Sequence, residues 1–204
     1  MGNRAFSLVE MLVCIAVAAM LYGLIVPTTA AIRGAAGRHQ SRVRFNQWRL
    51  AIEEFRTEYG HLPDVATGGR LDPGKMLAAL TGCDSKGSPV PAEDLQGNIR
   101  RIRFHAFGAG ELIPVTGTMH GAELVDGNGN SQIGVLIDRD EDGAIHGSEV
   151  VAVPVASGNS RDGFTAPFTP PASAVGPGVS IPARIAFYST GSGRDPEGFV
   201  YSWR

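Results

Sequence analysis

The chain has 204 residues, with 18 basic and 20 acidic side chains and a formal net charge of −2, which suggests neither nucleic acid nor an anionic surface as its partner. The length allows one or two domains, and the roughly 150 to 170 residues left after a membrane segment are enough for one core. Its 27 glycines and 13 prolines fall mostly after residue 60, favouring short strands and many turns over a helical bundle.

At the N-terminus the polar leader Met1 to Ala5 is followed by Phe6-Ser7-Leu8-Val9-Glu10, and then by a run from Met11 to Ile32 with no charged side chain. About 22 residues at about 1.5 Å each can cross a hydrocarbon core of about 30 Å. The run is therefore a transmembrane candidate. Glu10 is the anomaly, because an unpaired charge within such a segment costs about 3 kcal/mol or more. Either it is tolerated near an interface or it is given a cation. If Met1 to Ala5 is removed, Phe6 becomes the new terminus and its α-amino group lies one helical turn from Glu10. That pair can close within one chain or between neighbouring helices.

Arg4-Ala5-Phe6-Ser7-Leu8-Val9-Glu10-Met11-Leu12 resembles the prepilin-type cleavage and methylation segment of type IV pilins and type II secretion pseudopilins. The resemblance implies a prepilin peptidase cut between Ala5 and Phe6, N-methylation of Phe6, and Glu10 as the assembly glutamate. Pro27 stands where many pilin helices carry a proline, and Ala5 stands where the commonest pattern has glycine. The implied fold class is α+β and pilin-like: a long N-terminal helix, its first half transmembrane, packed on a small antiparallel β-sheet domain. The implied divisions are a leader at 1–5, a transmembrane and assembly half-helix at 6–32, an amphipathic half at 33–60, and a globular β-rich domain at 61–204.

The implied setting is a single pass through a bacterial inner membrane with the C-terminal domain in the periplasm. From there, inner-membrane assembly machinery would draw the chain into a homo- or hetero-oligomeric filament with other pilins or pseudopilins. Two other signals stand beside this. The pairs Ala30-Ala31 and Ala35-Ala36 would suit cleavage of an ordinary secretory signal. Arg33, Arg38, Arg42 and Arg44 outnumber Arg4, which on charge alone places the C-terminal side in the cytoplasm. The Phe-Ser-Leu-Val-Glu context is the more specific signal, and the periplasmic orientation follows from it.

Further along, Pro27 predicts a kink or a helix end, and Gly34 and Gly37 a weakening. Phe45, Trp48, Ile52, Phe55 and Tyr59 recur at spacings of three and four, marking one apolar helical face read as core packing. Gly60-His61-Leu62-Pro63 stops that helix, and the string from Ala51 to Pro63 is similar to the end of the long pseudopilin helix. A short second helix is expected over Lys75 to Leu80, opened by Asp72-Pro73, with loop from Gly82 to Gly97. Strands are expected at Ile99 to Phe107, Glu111 to Val115, Ser131 to Ile137, Glu149 to Val155, Arg184 to Tyr188 and Phe199 to Trp203. Residues 156 to 182 carry no period. Cys14 reads as an apolar packing residue and Cys83 as a free thiol, with no disulfide between them.

Asp138-Arg139-Asp140-Glu141-Asp142-Gly143-Ala144-Ile145-His146-Gly147-Ser148-Glu149 matches the twelve-residue calcium loop position by position. Carboxylates stand at positions 1, 3, 5 and 12, glycine at 6 and an aliphatic side chain at 8. Asp138, Asp140 and Asp142 would each give an oxygen, Ala144 its carbonyl, and Glu149 both carboxylate oxygens; His146 would act through water or not at all. The β-branched flanks predict a turn in a sheet with no helix pair. The bland alternative is a solvated acidic turn held by Asx bonds.

Phe187-Tyr188-Ser189-Thr190-Gly191-Ser192-Gly193 with Tyr201-Ser202-Trp203 is similar to the C-terminal ending of pseudopilins, where the major subunits bind calcium through aspartates. Ser192 stands where an aspartate would be expected, leaving Asp195 and Glu197, so the loop at 138–149 is preferred. The scattered histidines 39, 61, 105, 120 and 146 form no catalytic spacing, and no enzyme is expected. The sequence reads as a filament subunit of the pseudopilus or type IV pilus kind. The alternative is a secreted or membrane-anchored calcium-binding module that never polymerises.

Overall fold

The first element is the helix α1, Leu8–Tyr59, a segment in which alanine, the best helix former, is the commonest residue. The computed structural model describes residues 8–115, 121–147, 152–156, 158–159, 163–164, 167–191 and 198–203. It divides the chain into two units, Met1–Ala36 and Gly37–Arg204.

In the first unit the described side chains from Leu8 to Tyr22 are all exposed, Cys14 among them. Two expectations are corrected here: the transmembrane half-helix in the fold class and the single-pass inner-membrane placement. Among the described residues no helix is long and apolar enough to cross a membrane. The described apolar side chains from Leu8 to Tyr22 cover about 22 Å of α1 at about 1.5 Å per residue, less than a core of about 30 Å, and Glu10 lies among them. The helix also runs through Pro27. A proline removes one N–H bond, while the turns on either side keep theirs.

In the second unit α1 buries Phe45, Trp48, Ile52 and Phe55 completely, with Tyr59 packed against the same cluster. Trp48 meets Phe187 edge-on at a centroid distance of 5.8 Å, and Phe45 lies 5.9 Å from the same ring. Each such side chain contributes about 1.5–3 kcal/mol on burial. Gly60 closes the helix by donating its N–H to the Arg56 carbonyl at 2.8 Å. A hairpin of β1 (Ala66–Thr67) and β2 (Arg70–Leu71) follows, then α2 (Pro73–Thr81), whose first turn is capped by Asp72 accepting from the Lys75 N–H.

The remaining elements are β3 (Leu112–Pro114), β4 (Ala122–Leu124), β5 (Gly134–Ile137), β6 (Ile145–His146), β7 (Gly158–Asn159), β8 (Gly163–Phe164), α3 (Ala172–Val175), β9 (Ser180–Ile181), β10 (Ile185–Ser189) and β11 (Val200–Tyr201). The fold is α+β with a five-stranded antiparallel sheet, in the order β1-β2-β5-β10-β11. Because side chains alternate along a strand, the sheet separates two cores. Val135, Ile185, Phe187 and Val200 face the cluster on α1 and α2, whereas Leu136, Ala186, Tyr188 and Tyr201 join Ile145, Val155, Val175 and Ile181 on the other side.

The strand expected at Ile99 to Phe107 is absent. Its backbone groups are used elsewhere: the Asn98 side chain accepts from the Ile102 N–H and donates to the Ala79 and Ile102 carbonyls, and the Phe104 N–H donates to the Leu80 carbonyl. The strand expected at Glu149 to Val155 falls partly outside the described residues; within them, Val155 makes a single bridge with Phe168.

A polar cluster ties α1 to the sheet. The buried Arg44 donates to the Val125 and Asp126 carbonyls at 3.1 and 2.6 Å. Asp126 accepts from the Asn128 and Asn130 N–H groups and from the Ser189 hydroxyl at 2.6 Å. Burial pushes the Asp126 carboxyl up, against the pull of these donors and of Arg44. Gly37 and Gly127 let the loop lie on the helix: a Cβ on Gly37 would collide with the Asn128 amide, and one on Gly127 with the Gly37 carbonyl.

Candidate metal centre

The loop 138–147 leaves the sheet at the end of β5 and returns through β6, which pairs with β9. Its entry is fixed by Asp138, whose N–H donates to the Arg184 carbonyl at 2.8 Å, and its exit by Ile145, buried in the second core. The aliphatic side chain at the eighth position thus anchors the loop. Gly143 has φ +100°, the left-handed conformation that the turn requires.

Asp138 is 3% exposed. Its two oxygens accept from the Glu141 N–H at 2.8 Å and the Gly143 N–H at 3.0 Å, leaving further lone pairs on each. Asp140 and Asp142 are exposed. Their carboxylates accept from the Asp142 N–H at 3.4 Å and the Ala144 N–H at 2.8 Å.

One oxygen from each of Asp138, Asp140 and Asp142 lies within 4.8 Å of the others. Two oxygens on opposite sides of an ion at about 2.4 Å stand at most about 4.8 Å apart, so the three can share one ion. An all-oxygen anionic donor set suits a hard cation. The chemistry fits: this triad can hold a metal ion.

Two neighbours shape its charge: Arg184, which the sequence did not anticipate, and His146, the ninth residue of the loop. Arg184 donates to the Glu141 carbonyl at 3.1 Å and stands 3.6 Å from the Asp138 carboxylate. His146 bonds the second Asp142 oxygen at 2.9 Å; that bond, then the Ala144 N–H, holds the Asp142 carboxyl below its ordinary range. Both compete with an added ion. Ala144 sits at the expected position in the turn, and Glu149 lies outside the described residues.

Ala5 and Phe6 lie outside the described residues, and Glu10 is exposed in the first turn of α1. Sequence reasoning also missed the His105–Glu111 pair, 3.2 Å apart and largely buried. The histidine was visible, but nothing in the spacing marked its partner. No protein-family model, curated protein or solved structure matches this chain.

Proposed function

We propose that the chain is a structural subunit of a pseudopilus or type IV pilus-like filament, of the type II secretion pseudopilin kind, and that its 138–149 loop binds calcium. The observation that carries the first part is the surface of α1 in the first unit. Leu8, Val9, Met11, Leu12, Val13, Ile15, Val17, Met20, Leu21 and Tyr22 are all exposed, Leu8 by 81% and Tyr22 by 71%. An apolar surface of that extent marks an interaction site, and other copies of the same helix would cover it.

The resemblance of residues 4–12 to a prepilin segment supports the same reading. It assigns the cut to Ala5–Phe6 and makes Phe6 and Glu10 the assembly residues. Calcium is the hard cation suited to three aspartates with glycine at the sixth position. The same triad favours a second reading, a calcium-binding module that does not polymerise, because the loop needs no neighbouring copy.

Mass spectrometry of the N-terminus of the native protein separates the two. A mature chain beginning at N-methyl Phe6 is expected. A chain beginning between residues 31 and 37 contradicts the filament reading and leaves the calcium module.

A further inference from the structure

On the α1 segment of the second unit, Arg38, Arg42, Arg49 and Arg56 are spaced by four, seven and seven residues. At about 100° per residue they fall within about 40° of one another, a ridge about 27 Å long. It runs beside the buried face that carries Phe45 and Ile52. Arg42 is exposed and the other three are half-buried.

Among the described residues none of the four has a carboxylate within 4.0 Å, and none makes a side-chain hydrogen bond. Arg44, by contrast, lies off the ridge and spends its donors on the Val125 and Asp126 carbonyls. Glu53 is the acid on the flank of the ridge, four residues from Arg49 and three from Arg56, and it forms no ion pair there.

The chain as a whole is slightly acidic, so this basic ridge is balanced by acids elsewhere on the chain. Outside the acidic loop, the adjacent exposed pair Glu93 and Asp94, in the short turn Ala92–Asp94, likewise has no basic group within 4.0 Å among the described residues. A net charge near zero disfavours capture of an arbitrary polyanion. Complementary patches on different elements of one chain favour a head-to-tail contact, which repeats as an open filament when the rotation does not close.

We propose that the arginine ridge of one copy docks the Glu93–Asp94 turn of a second copy of this chain. The inference rests on the filament reading and names a charged contact within it, separate from the apolar helix surface. The guanidinium fork suits carboxylates, and several such groups in register set which copy meets which face more than they set affinity.

The test is light scattering by the purified full chain over a concentration series, at about 50 mM and about 500 mM salt. Arg42→Glu with Arg49→Glu, and separately Glu93→Lys with Asp94→Lys, should each raise the concentration needed for assembly about tenfold or more at low salt. An equimolar mixture of the two variants should restore it, and high salt should weaken the wild type. If the charge-reversed arginines disturb folding, as read by circular dichroism, Arg42→Gln with Arg49→Gln should still raise that concentration. Variants assembling like the wild type, or a mixture without rescue, overturn the docking and leave the filament reading standing. A wild type that stays monomeric at both salts overturns the filament reading itself.

Discussion

Asp140 tests the metal loop at the scale of a single residue. Its carboxylate is exposed and, among the described residues, accepts one long bond, from the Asp142 N–H at 3.4 Å, so Asp140→Ala removes a candidate ligand with little cost to the fold. Millimolar calcium should raise the wild-type melting temperature and leave that of Asp140→Ala unmoved, by mass action on the folded state. No shift in the wild type would contradict the site. Asp138, Asp140, Asp142, Gly143 and Ile145 were legible because the residues of such an acidic loop are set by local spacing. Arg184 was not, because only the register that sets Ile185 opposite Ile137 brings it to Asp138.

Glu111 gives a prediction in pH. Burial alone would raise its carboxyl, but the bond from His105, the Gly108 N–H and the charges of His105 and Arg44 outweigh it and hold it below its ordinary 4.5. A carboxyl lowered in the folded state stabilises fully above its unfolded value and loses that contribution as pH falls through the folded one. The wild-type melting temperature should therefore drop as pH falls below 4.5, and Glu111→Gln should show a shallower drop over the same range.

Among the elements, the helices were read best from sequence. The stripe Phe45 to Tyr59 and the Asp72-Pro73 start of α2 are local signals, periodicity and a cap, and both act within a few residues. Strand positions depend on partners far away. The alternation of Ile102 and Phe104 recorded burial, not pairing, once Asn98 and Leu80 had taken the backbone bonds. The β1–β2 hairpin went unread although Gly68-Gly69, both with positive φ, is its turn signal.

The glycine predicted to weaken the helix, Gly37, proves to be where the Asp126 loop lies against it. Gly127→Ala should thus cost about 1–3 kcal/mol in urea unfolding, the range of an overpacked contact. A change within about 0.5 kcal/mol would mean that the loop can lift from α1 at little cost.

For the molecule as a whole, the sequence carried the argument for assembly in residues 4–12, and the structure adds an exposed apolar surface beginning at Leu8. A transmembrane span was read from the uncharged run Met11 to Ile32, and among the described residues no helix is long and apolar enough to cross a membrane. The central claim is that copies of this chain hold together through that surface. The most direct measurement is the particle mass, by light scattering, of the full chain and of Ile15→Asp. Ile15 is 65% exposed, so the substitution should leave the melting temperature unchanged. The account predicts large particles for the wild type and a single-chain mass for Ile15→Asp; equal masses for the two would contradict it.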